Sequence, residues 1–211
     1  MAEATSVTTF VMENRLPWPD EGNSADAQGP FDAGIIHDAG LRWTCSIRRI
    51  SALGATLRGE VAIAPGQEIA VELANGQRPH GRIDWVSGGE AGVIFKQPVD
   101  MLALINRNLL NQPTERRAMP RVELRCRLHL KWGASVAAAV LRNISARGMQ
   151  LEGEDLPAQG TFVSTYVEGL NVPPGEVVWR KGNLAGIELL EDLSWTSLIP
   201  WIREAGRRQA A

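Results

Sequence analysis

The sequence predicts a mainly β protein made of two small barrel- or sandwich-like units, each followed by a helix. Three observations predict it. Short stretches such as EIAVEL at 68–73 and ELRCRLHL at 123–130 alternate apolar and polar residues, the period of a strand with one buried face. Gly54, Gly59, Gly66, Gly76 and Gly81 recur at intervals typical of tight turns. The chain also repeats itself. IRRISALGATLRGE, from Ile47, lies over LRNISARGMQLEGE, from Leu141, at an offset of 94 residues. The same offset carries Gly66 to Gly160, Gly81 to Gly175, Trp85 to Trp179 and Gly92 to Gly186. A period this long marks two domains rather than a solenoid.

The length, 211 residues, is compatible with one large domain or two units of about 100 residues each, and the repeat favours two. The formal charge is -2, from 22 Lys+Arg against 24 Asp+Glu, so no overall attraction to DNA, RNA or an anionic membrane is expected and any anion site must be local. No apolar run approaches the roughly 20 residues of a membrane helix, and the first residues lack a secretory pattern. A cytoplasmic protein without membrane insertion is expected. Cys45 and Cys126 have no metal spacing and read as reduced core thiols; His37, His80 and His129 are scattered. Neither a metal nor a cofactor is expected, and no catalytic constellation stands out.

Residues 1–34, rich in proline, glycine and small polar residues, read as a flexible leader, whose apolar residues Phe10, Val11, Leu16 and Trp18 leave open the alternative of a short docked segment. The first unit spans 35–112. In it, Val99, Met101, Leu102, Ile105, Leu109 and Leu110 recur at helical spacing, with Asp100 as cap and Pro113 as stop. A linker covers 113–122. The second unit spans 123–208 and ends in a helix carrying Trp195, Leu198, Ile199 and Ile202, whose start Pro200 obscures.

The linker contains RRAMPR, Arg116 to Arg121, and NISARG follows about twenty residues later. Together they resemble the signature of the PilZ family, which pairs RxxxR (here Arg117 and Arg121) with (D/N)xSxxG (here Asn143, Ser145 and Gly148). The resemblance covers about 116–193, with Trp179 and Gly186 in the later strand region, and extends through the repeat to about 35–110. It implies a six-stranded antiparallel β-barrel with a C-terminal helix in each unit. It also implies cyclic di-GMP, a bacterial second messenger, as ligand, and Arg116 as a third contact.

The chemistry of the residues agrees. Cyclic di-GMP offers two phosphates and two guanine edges, and the planar fork of arginine makes paired hydrogen bonds to either, where lysine serves less well. Pro120 biases Met119 toward extended geometry, so Arg117 and Arg121 fall on one face, roughly 13 Å apart. Asn143 and Ser145, two apart, share a face of a strand, and Gly148 is free to take a positive φ. Trp179 is expected to fill the barrel, because its counterpart Trp85 recurs in a unit without the rest of the site.

The first unit departs from the signature. Arg49 stands at the position of Asn143, and Asn23 and Ala27 at those of Arg117 and Arg121, so it is not expected to bind nucleotide. Its expected roles are to fix the linker or to present a surface to a partner; nothing in the sequence shows Arg48 or Arg49 contacting a ligand on the second barrel. The leading reading is a non-enzymatic receptor whose ligand orders the linker, rearranges the barrels and alters binding to a downstream protein partner. The alternative is a ligand-independent interaction scaffold. For a nucleotide-hydrolysing enzyme the sequence lacks paired carboxylates near the motif, a metal-ligand cluster and a phosphate loop.

Overall fold

Alternating stretches separated by glycine turns become strands in the described residues of both units, Met1–Pro120 and Arg121–Ala211. The computed structural model describes residues 8–18, 31–59, 62–110 and 121–210; Arg116, Arg117 and the rest of the linker up to Pro120 lie outside them.

In the first unit the strands are β1 (Thr9–Val11), β2 (Asp32–Asp38), β3 (Leu41–Ser51), β4 (Gly54–Arg58), β5 (Glu68–Glu72), β6 (His80–Ser87) and β7 (Glu90–Phe95). The antiparallel ladder runs β3–β2–β5–β6–β7–β4, and β4 pairs back with β3. Ile36, Ile47, Ile50, Leu57, Val71, Ile83 and Val93 point inward and are almost wholly buried. Helix α1 (Met101–Leu110) buries Met101, Leu104 and Ile105 in the same core. Asp100 caps it as expected, its Oδ1 accepting from the Ala103 amide at 3.0 Å.

The second unit contains β8 (Arg121–Trp132), β9 (Ser135–Ser145), β10 (Gly148–Glu152), β11 (Phe162–Val167), β12 (Leu170–Asn171), β13 (Gly175–Lys181) and β14 (Leu184–Leu189). Six of them close an antiparallel barrel in the order β8–β9–β10–β14–β13–β11, with β11 returning to β8. Its core holds Leu124, Leu128, Leu130, Leu141, Ile144, Leu151 and Val177. Helix α2 (Trp195–Ala210) covers it with Leu198, Trp201 and Ile202, and Trp201 Nε1 donates to the Glu168 carbonyl at 2.9 Å. The helix runs through Pro200. It begins after Ser194, whose carbonyl accepts from the Leu198 amide at 2.9 Å.

Backbone hydrogen bonds outside the ladders repeat at the offset of 94. Gly66 N to Ile83 O (2.7 Å) is matched by Gly160 N to Val177 O (2.7 Å). Phe95 N to Leu53 O (2.8 Å) is matched by Leu189 N to Arg147 O (2.9 Å), and Val99 N to Ala52 O (2.9 Å) by Leu193 N to Ala146 O (2.8 Å). Gly66 and Gly160 have φ of 88° and 84°, the left-handed region in which glycine carries no Cβ penalty.

Two sequence boundaries move. Residues 8–18, assigned to a flexible leader, are built into the first unit: β1 runs parallel to β3, pairing Thr9, Phe10 and Val11 with Arg49, Ile50 and Ser51, and Phe10 and Val11 are wholly buried. Thr8 fastens the junction, its hydroxyl donating to the Ile47 carbonyl at 2.7 Å and accepting from the Asp32 amide at 2.8 Å. A strand of three residues is too short to show a period in sequence. In the same way Arg121 and Val122, assigned to the linker, open β8, where Val122 is buried opposite Ile144.

Candidate functional site

β9 and β10 form a hairpin whose turn is residues 146–147, and this hairpin sets the NISARG residues in space. Asn143 and Ser145 stand two apart on β9, and the register places Ser145 opposite Gly148 and Asn143 opposite Gln150. Asn143 Nδ2 donates to Gln150 Oε1 at 2.6 Å. Ser145 Oγ donates to the Gly148 carbonyl at 3.3 Å, fastening the turn. Glu123 on β8 lies opposite Asn143, which brings Arg121 to the same end of the barrel.

Gly148 does not adopt a positive φ, contrary to the sequence expectation. Its missing Cβ is needed for a different reason: the carbonyl oxygen of Ile187 on β14 would lie 2.5 Å from it. Gly54 meets Val93 in the same way in the first unit, and 93 and 187 are again 94 apart. The glycine of the signature lets two strands approach closely.

Trp179 does not fill the barrel. A bulge between Val177 and Trp179 turns the following residues outward, and Trp179 is 39% exposed. The indole lies over Gly186, where a Cβ would overlap the ring. Trp85 over Gly92 repeats the arrangement, with a bulge between Ile83 and Trp85. The spacing of the tryptophan and the glycine is visible in sequence; the bulge that reverses the side chain is not.

These parts line one surface depression of about 310 Å³, formed by Arg121, Asn143, Ser145, Gly148, Trp179 and Gly186 together with Arg147, Gln150, Val178 and Glu188. Of the six residues expected from sequence, four meet here, and Arg116 and Arg117 lie outside the described residues. Arg147 and Gln150, inside and beside NISARG, carry no sequence signal of their own, because nothing in their type separates them from ordinary surface residues. Arg147 is held by Glu188 at 3.7 Å and Asp192 at 3.6 Å, exposed pairs worth at most about 1 kcal/mol. Its guanidinium is therefore exchangeable. The depression offers arginine forks, amide groups, a hydroxyl and one planar apolar face.

Next to it, Glu152 accepts from Arg142 at 2.7 Å and faces Arg125 and Asn183, both at 3.3 Å. The Arg142 hydrogen bond holds its carboxyl below the usual range. Burial pushes the Cys45 thiol up to about 12 and Cys126 up to about 11, so both stay protonated. Among the described residues no cluster of three metal-ligating side chains occurs, and no helix is long and apolar enough to cross a membrane. Arg48 and Arg49 are engaged within the first unit, Arg48 with Glu90 at 2.5 Å and Arg49 with the Pro17 carbonyl at 3.1 Å.

No family model matches the chain, and no curated protein does. Solved structures do. The PlzA protein of Borreliella burgdorferi in complex with c-di-GMP is 11% identical with a TM-score of 0.33, the match covering 83% of this chain and 87% of that one. The Bacillus subtilis inhibitor of motility MotI/DgrA is 14% identical, with a TM-score of 0.31 and coverage of 85% and 96%. Escherichia coli YcgR in complex with c-di-GMP is 14% identical, with a TM-score of 0.24 and coverage of 84% and 81%.

Proposed function

We propose that this protein is a non-catalytic cyclic di-GMP receptor of the PilZ type. The dinucleotide is held on the second barrel by Arg121, Asn143, Ser145 and Gly148, with Arg116 and Arg117 of the linker folding over it. The observation that carries this reading is the convergence of Arg121 with the Asn143, Ser145 and Gly148 hairpin on one depression, in the order the PilZ signature prescribes. Arg121 and Arg147 supply charge-assisted bonds to phosphate or guanine, and Trp179 supplies a face on which a base stacks.

The repeated backbone bonds support reading the first unit as a second barrel of the same kind with a degenerate site. Binding orders the linker and so alters the placement of the two barrels or the surface open to a downstream protein partner; a ligand shifts such a population only through contacts made in one arrangement. Neither nucleic acid nor a metal has a part in this reading.

The test is isothermal titration of the protein with cyclic di-GMP, beside an Arg117→Ala/Arg121→Ala double variant and with GTP as control. Two charge-assisted contacts of roughly 1.5 to 3 kcal/mol each predict a loss of about a hundredfold or more in the variant. No binding to the wild type at ligand concentrations of about tens of micromolar, or equal binding to both proteins, overturns the receptor reading and leaves a ligand-independent scaffold.

A further inference from the structure

The first unit's counterpart of the depression is filled by the chain itself. Arg49, Gly54, Thr56 and Trp85 stand at the offset of 94 from Asn143, Gly148, Gln150 and Trp179, four residues that line the depression. All four touch the segment Leu16, Pro17 and Trp18. Arg49 Nε and Thr56 Oγ1 both donate to the Pro17 carbonyl, at 3.1 and 3.2 Å, so both lone pairs of that oxygen are used. Leu16 and Pro17 side-chain carbons lie 3.3 and 3.5 Å from where a Cβ on Gly54 would stand. The Trp18 ring meets Trp85 edge to face, with centroids 5.6 Å apart and an interplanar angle of 80°.

The strand leading to this segment also has a counterpart. β1 pairs Thr9 with Arg49 and Phe10 with Ile50, where the start of β8 pairs Glu123 with Asn143 and Val122 with Ile144. The two strands run in opposite directions on equivalent edges. In the second unit the edge receives the arm that carries Arg121; in the first it receives β1, from which the chain continues to the Leu16–Pro17–Trp18 contacts.

We infer that the first unit is a peptide-binding barrel that carries its own ligand, the Leu-Pro-Trp segment at 16–18, on the face where the second unit has its depression. The chemistry explains the residue types. Proline has no amide hydrogen to leave unsatisfied and fixes φ, so its carbonyl is presented to two donors at little entropic cost. Arginine in place of Asn143 reaches a backbone oxygen, and threonine in place of Gln150 supplies a second, shorter donor. Trp85 keeps its place over Gly92 and packs nearly perpendicular to the ring of Trp18. The site recognises a carbonyl flanked by an apolar and an aromatic side chain, and it does so independently of any nucleotide.

The test uses the full chain and needs no nucleotide, so its outcome is separate from that of the receptor reading. A Leu16→Ser/Trp18→Ser variant keeps Phe10 and Val11 and removes the two side chains that pack at Gly54 and Trp85. A capped synthetic peptide of sequence ENRLPW, residues 13–18, is then titrated while the Trp85 indole resonance is followed, assigned by Trp85→Phe. Saturable binding to the variant, at least about tenfold tighter than to the wild type whose face is occupied, is expected, with loss of binding when Arg49→Ala is added. No binding to the variant, or equal binding to variant and wild type, overturns the inference. If the variant does not fold, the wild type and an Arg49→Ala/Thr56→Val variant decide: contacts between the Trp18 and Trp85 rings are expected by nuclear Overhauser effect in the first and weakened in the second. Their absence in the wild type, or equal strength in both, refutes it.

Discussion

Replacing Gly148 by alanine tests the reason given for the glycine of the signature. The added Cβ would stand 2.5 Å from the Ile187 carbonyl oxygen, well inside ordinary van der Waals contact. The obstacle is the backbone of β14, which pairs with β10 from Gly148 opposite Glu188 to Glu152 opposite Leu184. No rotamer relieves it, and the strands must part by several tenths of an ångström. Overpacking of this kind costs about 1 to 3 kcal/mol. For a unit of this size about 2 kcal/mol lowers the melting temperature by about 8 to 16 °C. Calorimetry of wild type, Gly148→Ala and Gly54→Ala measures it, and both variants are expected to show similar losses because the carbonyl of Val93 blocks Gly54 in the same manner. A Gly148→Ala protein melting within about 2 °C of wild type, less than about 0.5 kcal/mol, would refute the close-approach argument.

Three further outcomes follow from the geometry. Trp179→Ala is expected to weaken cyclic di-GMP by about 1 to 3 kcal/mol, the worth of a base on an aromatic face, as read by titration; unchanged affinity removes Trp179 from the site. Thr8→Val leaves the Ile47 carbonyl and the Asp32 amide without the hydroxyl they share and is expected to cost about 1 to 3 kcal/mol in urea unfolding, whereas a neutral result would show that residues 8–18 do not dock in solution. Glu72, bonded first by His37, and Glu152, bonded first by Arg142, both titrate below the usual 4.5. Their folded pKa values lie under the unfolded ones, so they stabilise fully above about pH 5 and the contribution is lost as pH falls through the lowered values. Melting temperatures of wild type and Glu152→Gln should therefore converge on acidification, and a constant gap between them counts against the assignment.

The amino-acid sequence by itself determined the repeat, the strand-rich class, the cap at Asp100 and the convergence of Asn143, Ser145 and Gly148. These depend on periods of two and on turn residues a few positions apart, which are local and survive in a linear string. Only the tertiary structure decided the rest. It turned Trp179 outward, because one extra residue at a bulge reverses every side chain after it. It showed Gly148 to be required by a carbonyl on β14, 39 positions further along the chain, rather than by its own φ. It also drew residues 8–18 out of an apparent leader, because Phe10 and Val11 have no amphipathic pattern of their own and become core only where β3 offers an open edge. Contacts between residues distant in sequence leave no period to read, and in this protein they decide which unit carries an open depression and which has the matching face covered by its own chain.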